Sequence, residues 1–370
     1  MSLIITILAA LLVFSAVIAI HEFGHFAVAK LCGIQVNEFS IGMGPVLWKK
    51  NHKGTQYSLR ALPVGGFVAL EGEESPESQQ AEANHAAQEQ PTPETEAPVQ
   101  PAGIPLNGAP VWQRVLVMVA GAVMNFVLGF VVLVFLIAAQ NEPITSKTIY
   151  AIQDGALCGQ TGLQAGDKVL AVNGRRCFVA NDILYELVRT QSYSADFTVL
   201  RDGQKVQLPG VRFDTWQDEK GETHMSIGFS VYGLEKTPGN VLREAGNSVL
   251  YYGRIVFTSL VDLVRGRESI NNLSGPVGIV SAIGQAASYG WQDLLELLVL
   301  ITVNLGIFNL LPFPALDGGK VVFLLIEGVT GHAVPEKIQS SLTLAAFALL
   351  FGLMIFATYN DIVRLVTGTM

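Results

Sequence analysis

Charge is scarce in this sequence. Only 15% of its 370 residues are Asp, Glu, Lys or Arg, whereas 50% are hydrophobic and the mean hydropathy is +0.41. This composition argues against a highly charged, disordered protein and is typical of an integral membrane protein. Four runs without a charged residue approach or exceed the ~20 residues that a membrane-spanning helix needs; they are residues 3–20, 115–139, 297–316 and 338–360. The sequence therefore predicts four transmembrane helices.

A further apolar stretch at residues 249–264 contains Arg254 and Asp262. Both charges would lie within the hydrocarbon if this stretch crossed the bilayer. The pattern therefore favours an amphipathic helix on the membrane surface, with a fifth span as the alternative.

Cysteine is also scarce, and the three cysteines do not form a metal-binding pattern. Cys158 and Cys177 fall between the second and third spans, where they could form a disulfide in an oxidising compartment. Two free thiols are the alternative. We expect Cys32 to be cytoplasmic and reduced.

Basic residues are concentrated between the first and second spans, and none precedes the first span. Because cytoplasmic loops carry the excess of Lys and Arg, this loop is predicted to be cytoplasmic and both termini extracytoplasmic. The residues concerned are Lys30, Lys49, Lys50, Lys53, Arg60 and Arg114.

The net charge of −8 has a local origin, because residues 71–100 contain eight Glu and no Lys or Arg. This segment is rich in Gln, Pro and Ala and has no aromatic residue, which predicts a disordered acidic cytoplasmic insert over residues 71–112. We expect no nucleic-acid partner.

The first uncharged run is followed directly by His21-Glu22-Phe23-Gly24-His25, which has the form H-E-x-x-H. Residues four apart lie on one face of a helix, so His21 and His25 can direct their imidazoles at one zinc ion, with Glu22 near a metal-bound water. Ionisable residues beside a membrane-spanning run are costly and indicate a functional site. Two interfacial histidines that meet lipid headgroups are the alternative.

A zinc ion in such a site needs a third protein ligand. Asp317 follows the third uncharged run and precedes Gly318 and Gly319. Pro312 and Pro314 must break the helix before it, and non-helical backbone at membrane depth requires a cavity lined by protein or water. We therefore expect Asp317 to face a polar cavity, and a cytoplasmic turn is the alternative.

The two motifs together, H-E-F-G-H and N-x-x-P-x-P-x-L-D-G from Asn309 to Gly318, resemble the site-2 protease family of intramembrane zinc metalloproteases. Within this family, the sequence most resembles the bacterial regulator of sigma-E type. The resemblance covers nearly the whole chain, because four further segments are similar to family segments, although Ala122 stands where the family often has proline. Those segments are residues 39–45, 62–70, 120–126 and 273–279.

The resemblance implies a role for particular residues. His21, His25 and Asp317 would bind Zn²⁺, and Glu22 would be the catalytic base. The asparagines expected to hold the substrate backbone match Asn304 and Asn309. A cytoplasm-side β-hairpin that presents substrate matches residues 55–70; its expected substrate contacts are Gly65, Gly66 and Phe67, of which Gly65 and Gly66 would form the tight turn.

Residues 146–232 are similar to a single PDZ domain of the kind attached to bacterial proteases. A strand ends at Asn173-Gly174, a helical stretch covers residues 180–190, and residues 196–208 form two strands joined at Asp202-Gly203. This domain could bind a C-terminal peptide as an added strand, or it could exclude bulky ectodomains from the membrane site.

The predicted architecture is an α-helical membrane protein with four transmembrane helices, a cytoplasmic membrane-associated β-hairpin region and one extracytoplasmic PDZ (α+β) domain. The expected boundaries are 1–31, 113–140, 292–316 and 338–360 for the spans, 32–70 for the β region, 71–112 for the insert, 146–232 for the PDZ domain and 238–290 for a juxtamembrane amphipathic helical region.

The resemblance implies a multi-pass zinc metalloendopeptidase of a bacterial inner or plasma membrane, in contact with membrane lipid. Its expected substrates are single-span membrane proteins already shortened on their outer side, such as anti-sigma factors, and remnant signal peptides. A silent scaffold that presents its PDZ domain and a metal transporter are the rival interpretations.

Overall fold

The computed structural model describes residues 3–73, 103–190, 192–219 and 221–367. Residues 74–102, which hold most of the predicted acidic insert, lie outside this description. The chain forms two compact units. The first unit contains residues 1–129 and 256–370, and the second contains residues 130–255.

The described residues form nine α-helices, numbered here in chain order. They are α1 (Leu3–Leu31), α2 (Val111–Ala139), α3 (Leu157–Gln160), α4 (Ala180–Val188), α5 (Pro238–Val264), α6 (Pro276–Tyr289), α7 (Trp291–Leu310), α8 (Asp317–Thr330) and α9 (Glu336–Thr367). Short 3₁₀ turns occupy Leu106–Gly108 and Ile270–Asn272.

Four helices are long and apolar enough to cross a membrane, as the sequence predicted. They are Ile4–Leu31, Val111–Ala139, Trp291–Leu310 and Glu336–Thr367. Among the described helices, α5 does not meet these criteria. The chain is therefore a membrane protein with four candidate spans.

The third of these helices ends earlier than residue 316, because Pro312 and Pro314 interrupt it. Helix α7 stops at Leu310, and irregular backbone follows up to Leu316. Asp317 is therefore the first residue of a separate helix, α8. A proline ring cannot continue a helical hydrogen-bond ladder, so the break is fixed by the sequence.

A β-hairpin follows α1 in the first unit. Its two long strands, β1 (Val36–His52) and β2 (Thr55–Leu70), are joined at Lys53 and Gly54, whose φ values of 48° and 75° suit a two-residue turn. Residues 38–41 of β1 have partners on two sides, at residues 56–59 and 66–69. Both strands therefore fold back on themselves, and residues 66–70 lie at the edge.

The prediction that Gly65 and Gly66 form the tight turn of this hairpin is wrong. Both lie inside β2, where Gly66 is paired with Ile41. Gly65 does adopt a φ of 86°, and a Cβ there would lie 2.9 Å from the Met43 side chain. Its missing side chain thus allows a local irregularity within the strand, while the reversal between β1 and β2 occurs at Lys53-Gly54.

The second unit is built on an antiparallel sheet in the order β10-β3-β4-β6-β7, with β5 paired to β4. The strands are β3 (Ile144–Ile152), β4 (Lys168–Val172), β5 (Arg175–Arg176), β6 (Ser194–Arg201), β7 (Gln204–Arg212) and β10 (Phe229–Leu234), while β8 (Asp214–Gln217) and β9 (Thr223–Ser226) form a separate ribbon. The predicted turns at Asn173-Gly174 and Asp202-Gly203 are present, with all four φ values positive.

Two buried features of the second unit answer questions left open by the sequence. Cys158 and Cys177 are free thiols, and burial raises the pKa of Cys177 to about 12. Arg254 of α5 forms an ion pair with the fully buried Asp182 of α4. Asp182 therefore neutralises the Arg254 charge within the second unit, which disfavours a fifth span.

Candidate active site

Three potential metal ligands converge in the first unit. The Nε2 atoms of His21 and His25 are 3.2 Å apart, and they lie 3.1 Å and 3.4 Å from Asp317 Oδ2. Ligand atoms around a tetrahedral ion with zinc-like bond lengths are about 3.4 Å apart. The three atoms therefore have the separations that one Zn²⁺ requires.

The chemistry of these atoms also fits a cation. His21 and His25 are buried, and Asp317 Oδ2 has no hydrogen-bond partner of acceptable geometry within the part of the chain that the structure describes. A buried carboxylate oxygen without a donor is costly. A metal ion between the three atoms would satisfy it.

His25 is oriented by a backbone contact with α2. Its Nδ1 atom lies 2.8 Å from the carbonyl oxygen of Val117. A carbonyl only accepts, so Nδ1 carries the proton and the Nε2 lone pair faces Asp317. This contact is the arrangement that typically fixes a metal-binding imidazole.

His21 is approached by two asparagine side chains from different helices. Nδ2 of the fully buried Asn125 lies 3.3 Å from His21 Nδ1, and Nδ2 of Asn309 lies 3.4 Å from His21 Nε2. The Asn125 Oδ1 atom has no partner among the described residues. Rotating this amide by 180° would let Oδ1 accept from Nδ1–H and leave Nε2 free for a metal.

The site depends on the close approach of α1 and α2. A Cβ at Gly24 would lie 2.4 Å from the carbonyl oxygen of Ala120, and a Cβ at Gly121 would lie 2.4 Å from His25 Nε2. Such distances exclude any side chain at either position. Small residues that let helix backbones meet are typical of membrane helix packing.

Asp317 is placed by the two glycines that follow it. A Cβ at Gly318 would lie 2.2 Å from the carbonyl oxygen of Leu311, and one at Gly319 would lie 2.3 Å from that of Phe313. The first turn of α8 therefore packs directly against the proline-broken segment. This tight contact brings the carboxylate back towards α1.

A cavity of about 230 Å³ opens beside these ligands. The edge strand contributes Gly66, Phe67, Val68 and Leu70 to its lining, and the charged residues around it are Glu22, Glu73, Asp317 and Lys320. Three carboxylates and one ammonium leave an excess of negative charge, which a divalent cation would balance. The site is therefore electrostatically suited to a metal ion.

The predicted site residues do not all reach this cavity. His21, Glu22, His25, Gly66, Phe67 and Asp317 line it, Asn309 contacts His21, and Gly65 packs near Met43. Asn304 lies among the exposed residues of α7.

Sequence reasoning placed Gly121 and Asn125 in a family-like segment without giving them a role at the site, and it missed Lys320. The available signals were a polar amide in an apolar span, the small pair Ala120-Gly121 in that span, and a lysine three residues after Asp317.

Comparison with known proteins also supports a metal ion at this site. The sequence model of Peptidase family M50 matches residues 9–353. The regulator of sigma-W protease RasP of Bacillus subtilis is 28% identical over 97% of this chain and 99% of its own length. The zinc metalloproteases RasP of Bacillus licheniformis and Shouchella clausii are each 29% identical, again over 97% of this chain and 99% of theirs.

Gly121→Ala tests the close contact between α1 and α2. The added methyl would overlap the His25 ring, and a displacement of about 1 Å at such a site lowers activity ~100-fold. We expect a loss of bound zinc and of peptidase activity, measured by metal analysis and a cleavage assay. Gly352→Ala in α9 is the control, because a Cβ there meets nothing within 4 Å; equal behaviour of the two variants would contradict the packing argument.

Asn125→Leu tests the contact to His21. It keeps the approximate volume but removes the amide, and loss of such an outer contact typically weakens metal binding by ~10–100-fold. We expect a rise of that size in the zinc dissociation constant, measured by competition with a chelator. Asn360→Leu is the control, since its Nδ2 has no partner among the described residues, and an unchanged constant in Asn125→Leu would refute the assignment.

Proposed function

The chain belongs to Peptidase family M50 and is a metallopeptidase, and from that premise we propose that it is an intramembrane zinc protease that hydrolyses transmembrane segments. His21, His25 and Asp317 are the proposed zinc ligands, and Glu22 is the proposed base. The observation that carries the proposal is the convergence of the three ligand atoms within 3.1–3.4 Å of one another. His21 and His25 lie on α1, which is long enough to span a membrane, and Asp317 begins α8, which follows the candidate span α7.

Zn²⁺ held by His21, His25 and Asp317 would supply Lewis-acid chemistry, because it would polarise a substrate carbonyl and lower the pKa of a bound water to about 7. Glu22 follows His21 directly on α1 and lines the same cavity. Its carboxylate removes a proton from the attacking water and later transfers that proton to the leaving amine. Asn309 is placed beside His21 to hold the substrate backbone, and Asn304 is a second proposed contact on α7.

A helical substrate must unwind before it can be cleaved, because its amides are occupied by its own hydrogen bonds. The edge segment at residues 66–70 offers replacement partners, since residues 38–41 pair with only one of its sides and its residues Gly66, Phe67, Val68 and Leu70 line the cavity. A strand edge that is unpaired on one side can accept an added strand. We assign substrate presentation to this edge.

The remainder of the hairpin is suited to a membrane surface. Large apolar side chains are exposed along it, and Lys49, Lys50 and Lys53 lie beside them. Apolar residues flanked by lysines are typical of segments that enter the anionic cytoplasmic leaflet. The exposed apolar residues are Ile41, Met43, Val46, Leu47, Trp48, Leu59, Leu62 and Val64. This placement agrees with a cytoplasmic hairpin and extracytoplasmic termini.

The proposed substrates are single-span proteins already shortened outside the cytoplasm, of the anti-sigma factor type, together with remnant signal peptides. Support comes from the Bacillus subtilis relative, which is named as a regulator of sigma-W protease. We propose that the second unit is an extracytoplasmic PDZ domain. It either excludes intact ectodomains or binds a newly exposed C-terminal peptide. A bacterial plasma membrane is the proposed location.

Glu22→Gln tests the base. The variant should retain one bound zinc, because its ligands are intact, and should lose ~10²–10⁴-fold in the cleavage rate of a transmembrane reporter. His25→Ala and Asp317→Ala should lose both zinc and cleavage, while the exposed control Glu336→Gln should lose neither. A fully active Glu22→Gln protein would reject the assigned base, and a metal-free but active wild type would reject the zinc protease. Zinc without cleavage in the wild type would favour a scaffold or a transporter.

A reporter series with ectodomains of increasing size tests the second unit. If the unit excludes bulk, removing a folded ectodomain should raise the cleavage rate at least ~10-fold, whatever the sequence of the new C-terminus. If the unit binds peptide, amidation of that C-terminus should abolish the gain. Equal cleavage of all reporters would refute both roles.

A further inference from the structure

Lys320 and Glu73 form an ion pair across two walls of the cavity. Lys320 Nζ lies 2.8 Å from Glu73 Oε1. Glu73 follows the edge segment of β2, while Lys320 lies on α8 three residues after Asp317, and residues three apart share a helix face. Both side chains line the cavity that also holds Glu22 and Asp317.

A substrate strand in this cavity would need a donor on the wall opposite the hairpin. Along an extended strand, successive residues direct their backbone groups to opposite sides. A strand paired with residues 66–70 therefore turns half of its carbonyl oxygens away from the hairpin, into the rest of the cavity lining, which includes Lys320. Buried carbonyl groups without a partner are costly. Among the lining residues, which all belong to the described part of the chain, Lys320 alone carries a permanent positive charge.

Lysine is well suited to exchange one partner for another. Its ammonium has three donors on a flexible stem. The Lys320 side chain is 45% exposed and the Glu73 side chain 13%, so water reaches the ammonium and screens its attraction to the carboxylate. Glu73 can therefore hold the ammonium beside the cavity when no peptide is present without binding it tightly.

We propose that Lys320 is a substrate-binding residue, whose ammonium leaves Glu73 to donate to a backbone carbonyl oxygen of the bound peptide on the side remote from the hairpin. This inference rests on the proposed function and adds a contact to it. It assigns opposite roles to the two partners, because Lys320 binds the substrate and Glu73 competes with the substrate for it.

The test compares Lys320→Met, Lys320→Arg and Glu73→Gln in the full-length protein, with exposed Lys337→Met as the control for loss of charge. The measurements are zinc content, kcat and KM for a transmembrane reporter peptide, and the affinity of the same peptide in a Glu22→Gln background. Lys320→Met should keep its zinc, raise KM at least fivefold, weaken peptide binding by the same factor and change kcat less than twofold. Lys320→Arg should restore most of the affinity, and Glu73→Gln should lower KM.

Three results would overturn the proposal. An equal loss of peptide affinity in Lys320→Met and Glu73→Gln would show that the ion pair has only a structural role. An equal gain of affinity in both variants would show that the ion pair obstructs the cavity. A fall in kcat alone would place Lys320 in the chemical step. A zinc-loaded wild type that fails to cleave the reporter would instead refute the proposed function, and in that case the peptide affinities still decide whether Lys320 binds substrate.

Discussion

The site depends on how closely two helix backbones can approach. His21 and His25 reach a common point only because α2 presents no side chain at Gly121, and α1 presents none to Ala120 at Gly24. In a membrane, no hydrophobic force drives helices together, so contact at this distance relies on packing of small residues and on polar contacts. The hydrogen-bond contacts of Val117 and Asn125 with the two histidines arise from the same approach.

The second requirement is a polar cavity beside hydrocarbon. Helix α7 stops at Leu310, and the irregular backbone up to Leu316 is covered by the first turn of α8, where Gly318 and Gly319 allow direct contact. Non-helical backbone is tolerated at membrane depth only where protein or water surrounds it. The proline-broken segment and the two glycines of α8 thus place Asp317 at the cavity.

Much of this arrangement could be predicted from the sequence. The i, i+4 spacing of His21 and His25 fixes their common helix face, and the uncharged runs give the four spans. The positions of Gly121 and Asn125 opposite His21 could not be predicted, because the rotation of one helix against another is decided by packing rather than by periodicity. The hairpin turn was misplaced for a related reason: two adjacent glycines suggest a turn, but Gly65 and Gly66 serve a strand that folds back and lines the cavity.

The proposed ligands lie far apart in the sequence, since His21 and His25 belong to α1 and Asp317 begins α8. The second unit is encoded between them. Proteins are synthesised from the N-terminus, so α1 and α2 leave the ribosome long before α8. Until then the paired imidazoles lack the carboxylate of the proposed zinc site. The order of synthesis thus completes the proposed zinc site only after the second unit has been made.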